Sequence, residues 1–362
     1  MRNYKYILIF MLSILHALTF SKDSFATNYQ IIKIPDLIGR NFNVNSINNS
    51  GIVVGSLDEQ AFIWDNNNGL HILENPGQSA VAKEINDNNC IVGHYISSNG
   101  SHHAAYWNEN LELIDLSYDP LFSCNTWAHD INNLGEIVGL EWYPNQFLWD
   151  ETNGARYISK SSFSPIRIND RSQIIGSAYP SGNFNSHKQI YIFDENSGLT
   201  FLDLPGDEFN SESIATEINN KGEIIGQIID YNLQPFEWHI FLWDDKSYFY
   251  DLGYGSVFDI NNLGQIVASV GHEDKKVFWD LHSNSMIFLQ DIFDSDPIWK
   301  SGEAKAINDL GWMVGEGNTR DGEHGAFILI PTPVPEPTTI LLLGVGLIGL
   351  GGFGRKKFFK KG

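Results

Sequence analysis

The chain has 362 residues with 23 basic and 44 acidic side chains, a net charge of −21. An acidic balance of this size excludes a nucleic-acid-binding surface and works against adsorption to anionic lipid. Two cysteines are too few for a disulfide framework, while 10 Trp, 14 Tyr and 23 Phe are enough to furnish a large aromatic core.

The first 26 residues read as a secretory signal peptide. Arg2 and Lys5 form a basic start, Tyr6 to Phe20 an apolar run, and Ser24-Phe25-Ala26 supplies small residues where a signal peptidase cuts, so cleavage is expected after Ala26. Residues 27–331 then form the ectodomain, with 15 basic and 42 acidic side chains, a net −27. This charge keeps an exported protein soluble; no D-x-[DN]-x-[DN]-G loop points to calcium. Cys90 and Cys124 fall at opposite ends of predicted strands, about 20 Å apart and too far to bridge.

Gln30 to Gly39 reads as a strand with no hairpin partner before it. Behind it one phrase recurs seven times: Ile47-Asn48 to Gly55, Ile85-Asn86 to Gly93, Ile131-Asn132 to Gly139, Ile168-Asn169 to Gly176, Ile218-Asn219 to Gly226, Ile260-Asn261 to Ala268 and Ile307-Asn308 to Gly315. The mean spacing is about 43 residues, the period of propeller blades. An Asn-x-x-Gly turn joins strand a, ending in Ile-Asn, to strand b, the Ile-Val-Gly segment. A second phrase, such as Phe62-Ile63-Trp64-Asp65 or Phe147-Leu148-Trp149-Asp150, is apolar on both faces and suits a strand c between neighbouring sheets. Turns such as Asn68-Gly69 and Asn153-Gly154 lead into strand d.

The expected fold is therefore all-β: a seven-bladed β-propeller of four-stranded antiparallel blades, with a signal peptide before it and a C-terminal transmembrane helix after it. The seventh unit has no room for its own strand d before Pro331, so the N-terminal strand is expected to complete that blade and close the ring. The repeated units resemble the HAF family of extracellular repeats over nearly all of residues 44–330. That resemblance implies architecture and export but attaches no chemistry.

Binding residues are expected on the loops between strands b and c and between d and the next a, which share one face. Four are long: Asp115 to Asn125, Ala178 to Lys188, Asp230 to Trp238 and Asp291 to Lys300. Their aromatics Tyr118, Tyr179, Tyr231, Trp238 and Trp299 are the candidate binding face, suited with nearby carboxylates to a glycan or a peptide. No catalytic or metal constellation is readable. His102-His103, expected on a b–c loop, has the wrong spacing for chelation, and His129 reads as an edge residue at the entrance of its strand. No cofactor is expected.

The last segment, 332–362, is distinct. Val334-Pro335-Glu336-Pro337 precedes an apolar run from Thr338 to Phe353, giving a span at 338–354, and then a basic tail with Arg355, Lys356, Lys357, Lys360 and Lys361. Sixteen apolar residues make a helix of about 24 Å against a bilayer core of about 30 Å, so spanning requires the flanking cations to snorkel. The positive cluster should stay cytoplasmic, leaving everything before it outside. Motif, span and cluster in this order resemble a PEP-CTERM sorting signal. That resemblance implies recognition by an exosortase, a transient anchor in the inner membrane and a final address in the cell envelope or outside it. It also points to a polysaccharide partner for a binding or matrix module. With no catalytic constellation readable, no enzyme is expected; the alternative is a secreted propeller glycan hydrolase or lyase acting through acids of the loop-bearing face.

Overall fold

The repeated Asn-x-x-Gly turns form as their residue types dictate. In unit one, Asn48 Oδ1 accepts the backbone N–H groups of Ser50 at 3.1 Å and Ile52 at 3.0 Å. Gly51 supplies the left-handed residue at φ 76°, and in the two units lacking glycine Asn89 and Ser172 take φ 63° and 57°. The computed structural model describes residues 28–332 except 123–124, 143–144, 160–162, 179–188, 203, 205–210, 231–236, 245 and 247. The predicted signal peptide with Ala26, the tail from 333 with Val334 to Pro337 and its basic cluster, Cys124, Tyr179 and Tyr231 all lie outside the described residues.

The chain opens with β1 (Asn28–Ile34). Unit one holds β2 (Phe42–Ile47), β3 (Val53–Leu57), β4 (Gln60–Asp65) and β5 (Gly69–Ile72); unit two holds β6 (Ser79–Ile85), β7 (Ile91–Ile96), β8 (His102–Trp107) and β9 (Leu113–Asp115). Unit three comes next with β10 (Thr126–Ile131), β11 (Ile137–Glu141), β12 (Gln146–Asp150) and β13 (Gly154–Ser159). Unit four has β14 (Phe163–Ile168), β15 (Ile174–Ala178), β16 (Gln189–Asp194) and β17 (Gly198–Phe201). Units five and six are β18 (Ser211–Ile218), β19 (Ile224–Asp230), β20 (His239–Trp243), β21 (Phe249–Ile260), β22 (Gln265–Val270), β23 (Lys275–Asp280) and β24 (Ser285–Phe288). They share β21, whose first half pairs with β20 and whose second half pairs with β22. A six-residue helix α1 (Leu289–Asp294) leads to unit seven, with β25 (Trp299–Ile307), β26 (Met313–Thr319) and β27 (His324–Thr332). All pairings are antiparallel, and the fourth strand of unit seven is β1, paired with β27 from Asn28↔Thr332 to Ile34↔Ala326.

The units pack face to face in a propeller-like array. Between units one and two, Val54, Ile63, Ile85, Ile91 and Trp107 form one of several buried clusters. Trp107 is fully enclosed and still satisfied, its Nε1 donating to Glu74 O at 2.9 Å. Trp64, Trp107 and Trp149 of strand c are core, and Phe193, Trp243 and Trp279 at the same position are partly buried and pack against it. Among the described residues no helix is long and apolar enough to cross a membrane.

Seven asparagines do more than turn the chain. Asn48 Nδ2 donates to Asn86 O at 3.1 Å, Asn86 to Asn132 O at 2.9 Å, Asn132 to Asn169 O at 3.0 Å and Asn169 to Asn219 O at 3.0 Å. Asn219 continues to Asn261 O at 3.1 Å, Asn261 to Asn308 O at 2.9 Å, and Asn308 returns to Asn48 O at 2.9 Å. The circuit closes on itself. The next residue in each turn (Asn49, Asp87, Asn133, Asp170, Asn220, Asn262, Asp309) forms a second circuit, each backbone N–H donating to the following side-chain oxygen at 2.6 to 2.9 Å. Both circuits lie on the face of the a–b turns, called here the turn face; the described b–c and d–a links lie at the opposite ends of the strands, on the loop face.

Candidate functional site

Every innermost strand carries a β-bulge just before its Ile-Asn. The register slips between Val44 and Ser46, Ala82 and Glu84, Ala128 and Asp130, Pro165 and Arg167, Ala215 and Glu217, Val257 and Asp259, and Ala304 and Ala306. The extra residue bends the strand and re-aims the side chains next to it. It also explains the glycine of strand b. A Cβ on Gly93 would meet Val81 O at 1.9 Å, and one on Gly226 would meet Ile214 O at 2.2 Å, because the bulge pushes a carbonyl into that space.

The bulges bring seven residues to one level around the central channel: Ser46, Glu84, Asp130, Arg167, Glu217, Asp259 and Ala306. Four carboxylates therefore surround a single guanidinium. Arg167 Nε donates to Glu217, and Ser46 Oγ donates to Glu84. Asp130 accepts from its own Ile131 N at 2.8 Å and from Ile168 N of the next unit at 2.7 Å; Asp259 does the same with Ile260 N and Ile307 N, both at 2.7 Å. The two aspartates are clamps between units, and the two glutamates reach into the channel.

Burial sets the protonation of this cluster. It pushes Glu84 up to about 8, with the Asp130 charge adding to the effect, and Asp259 up to about 7. Glu217 and Asp130 are raised for the same reason, against the pull of Arg167. Burial opposes the charge of Arg167, but Glu217, Asp130 and Glu84 together outweigh it and raise its pKa. The cavity here is about 190 Å³, below the roughly 300–1,000 Å³ typical of small-molecule pockets.

The histidines lie elsewhere than expected. His129 is not at the entrance of β10 but at its bulge, one residue before Asp130; burial, then Arg167, Lys83 and His94, hold it down at about 4. His102 and His103 open β8 instead of sitting in a loop, and strand alternation sends their rings to opposite faces. His102 accepts from Trp127 Nε1 at 3.1 Å, while His103 meets Asp115 at 3.0 Å and stacks on Tyr95 at 4.8 Å. Cys90 is a free thiol that accepts from Tyr106 OH at 3.4 Å.

Of the expected binding face, Tyr118 is 80 % exposed, on a short turn of helix in the link between β9 and β10. Trp238 is half-buried before β20, its carbonyl accepting from Gly255 N at 3.0 Å. Trp299 must be corrected: it opens β25, is 1 % exposed, and packs edge-on against Phe327 at 5.2 Å. Its loop is largely α1, whose Leu289 and Phe293 are core. Tyr118, Trp238 and Trp299 belong to units two, five and seven, and no contact among the described residues joins them.

The loop face does hold a groove of about 720 Å³ between units six and seven. Its walls are the b–c turn of unit six and α1, and its floor is the upper part of β25 and β26. Lys276 bridges Asp274 and Glu303, each at 2.8 Å; Lys305 lies 3.4 Å from Glu303; Lys275 Nζ sits 5.7 Å from the Phe288 ring. His324 lies 3.6 Å from Glu316. Donors and acceptors thus alternate along the groove beside one partly exposed aromatic. Among the described residues no three His, Cys, Asp or Glu converge to hold a metal ion.

Comparison with known proteins speaks to the tail first. Residues 333–356 match the PEP-CTERM protein-sorting motif. The tail carries a PEP-CTERM sorting motif. No curated protein matches the chain in sequence. Among solved structures, an oligogalacturonate lyase in complex with manganese is similar at TM-score 0.55 and 11% identity, covering 85% of this chain and 94% of that one. The oligogalacturonate lyase of Vibrio parahaemolyticus is similar at TM-score 0.51 and 13% identity, over 85% and 97% of the two chains. At these identities the likeness concerns the fold alone.

Proposed function

We propose that the protein is an exported seven-bladed propeller, closed by its N-terminal strand and delivered to the cell envelope or beyond by an exosortase acting on the PEP-CTERM tail. The observation that carries this reading is the position of the motif: β27 ends at Thr332 and the matched segment begins at residue 333. The folded domain and the delivery signal adjoin with no linker. Val334, Pro335, Glu336 and Pro337 are the processing motif of this reading, Ala26 its signal cleavage site, and the span at 338–354 its transient inner-membrane anchor. Replacing Pro335, Glu336 and Pro337 by alanine in cells should abolish the loss of C-terminal mass expected of the native chain. An unchanged mature mass would reduce the tail to a plain anchor.

In this reading the delivered domain is a non-catalytic binding module for a polysaccharide. The groove between units six and seven supports it: its size suits a short oligosaccharide, its paired Lys and Glu groups suit vicinal hydroxyls, and Phe288 offers a surface for a sugar face. Tyr118 and Trp238 remain candidates for further contacts from the same loop face, and Tyr179 and Tyr231 remain candidates from the sequence alone. Glu303→Gln should weaken retention on a responsive glycan by about tenfold, roughly 1.4 kcal/mol, in an equilibrium titration. An unaltered affinity would move the site elsewhere.

A lyase or hydrolase reading draws support from the four channel carboxylates with raised pKa values. The small cavity and the clamping bonds of Asp130 and Asp259 weigh against it. Incubating the ectodomain with a glycan array and following both retention and product release separates the two readings. Shortened products would overturn the binding-module assignment.

A further inference from the structure

Strand direction fixes where the two ends of the folded domain lie. β27 runs from the loop face to the turn face, and its register places Leu329 opposite Met313, the first residue of β26 after the a–b turn of unit seven. Pro331 therefore lies level with the turn itself: a Cβ built on Gly311 would meet its ring at 3.7 Å. Asn28 pairs with Thr332, so the N-terminal end leaves the same face. The described domain thus ends at Thr332 on the turn face, beside the tip of unit seven.

Three of the seven turn tips on that face are apolar; those of units one, two, four and five are Ser50, Asn88, Arg171 and Lys221. The residue two after the ring asparagine projects from each a–b turn, and it is leucine in units three, six and seven. Leu134, Leu263 and Leu310 are 64 %, 50 % and 54 % exposed. Single exposed leucines are ordinary on protein surfaces. These three share one structural position and surround the channel mouth at three points, two of them in the units nearest the exit of the tail. Three points define a plane. Glu109 and Glu151, exposed on neighbouring turns of the same face, oppose anionic headgroups.

Resting on the sorting-tail reading above, we infer that the turn face lies against the membrane before processing, with Leu134, Leu263 and Leu310 seated at the surface of a zwitterionic bilayer. Only residues 333–337 stand between the domain and the span at 338–354, about 17 Å of chain at full extension, which keeps the turn face close to the membrane. Leucines at such a level enter the headgroup boundary, where their side chains leave water without displacing lipid-buried backbone. The same orientation points the loop face, with the groove between units six and seven, away from the membrane and toward external ligands.

The test uses the full chain with Cys90→Ser and Cys124→Ser, reconstituted in phosphatidylcholine vesicles. A single fluorophore is placed through Leu310→Cys, Leu263→Cys or Tyr118→Cys, and quenching by lipid-borne quenchers is measured for each. Quenching at 310 and 263 should exceed that at 118 by about threefold or more, because only those two reach the boundary. Circular dichroism of each variant checks that the sheet is intact. Flotation of the chain with the vesicles but equal quenching at the three sites would overturn the orientation alone. Failure to float with the vesicles would overturn the sorting-tail reading and the orientation together.

Discussion

Arg167→Met should lower the unfolding midpoint at pH 8 by about 10 °C, a loss of roughly 3–5 kcal/mol, and should lower it far less at pH 5. The cation is held by Glu217 and lies within the field of Asp130 and Glu84. Removing it leaves four carboxyls at one level of a narrow channel with no cation among them, and only Lys83 and Lys305 nearby to offset their charge. Near pH 8 those groups must ionise unpaired or keep protons against the solvent, and either course costs folding free energy. At pH 5 burial already keeps Glu84 and Asp259 protonated and shifts Glu217 and Asp130 the same way, so the guanidinium has less to neutralise. A scan of thermal unfolding against pH for both proteins checks this; a pH-independent difference would mean that Arg167 serves by packing alone.

The native chain has its own pH dependence with the same origin. Glu84 and Asp259 titrate near 8 and 7 in the folded state, above their ordinary range, so the folded protein holds protons that the unfolded chain has released. Stability from these groups is greatest below their unfolded values and is lost as pH rises through about 7 and 8. His94 and His129 act oppositely. Burial holds both down at about 4, so the unfolded chain takes up protons near 6.5 that the folded one refuses, and stability falls as pH drops from there toward 4. The two effects oppose each other below about 6.5, and above it only the carboxyls continue. Stability should therefore decline from near pH 6.5 toward pH 8.5, and Glu84→Gln should flatten that decline.

The sequence made the scaffold legible because its chemistry is local. An Asn-x-x-Gly turn needs only its own backbone, and an aromatic flanked by apolar neighbours signals a two-faced strand wherever it falls. The partner of β1 came from counting, since unit seven had three strands and the N-terminal segment had none. The channel cluster was hidden for a physical reason. A β-bulge shifts side-chain alternation by one residue, so the facing of Glu84 or Arg167 is not given by the period of the strand. A signal did exist: the residue before each Ile reads Ser, Glu, Asp, Arg, Glu, Asp, Ala, a charged and varied position inside an otherwise apolar phrase. It sits within the repeat, whereas binding residues were expected on the loops outside it. Trp299 failed differently, because six residues of α1 are too few for the Leu289–Phe293 spacing to declare a helix.

Asn132→Ala should cost about 3–5 kcal/mol, because it strands several buried groups at once. The side chain accepts from Leu134 N at 3.0 Å and Glu136 N at 2.9 Å, and donates to Asn169 O at 3.0 Å and Glu136 Oε2 at 2.6 Å. Alanine leaves two N–H groups and one inter-unit carbonyl without these partners beneath an exposed turn, where Asn132 itself is buried. Asn132→Asp isolates the inter-unit bond from the turn. Its carboxylate still accepts the two N–H groups but turns a second oxygen toward Asn169 O, replacing a donor by a negative charge against a carbonyl. That variant should be nearly as unstable as the alanine one at pH 7 and should regain stability near pH 4, where a protonated carboxyl can donate again. Recovery at acid pH in Asn132→Asp but not in Asn132→Ala is the signature of a circuit that holds neighbouring units together. If both variants respond to pH alike, the asparagine serves its own turn and no more. Closure would then rest on the pairing of β1 with β27, and the seven donors would be a consequence of the ring instead of one of its bonds.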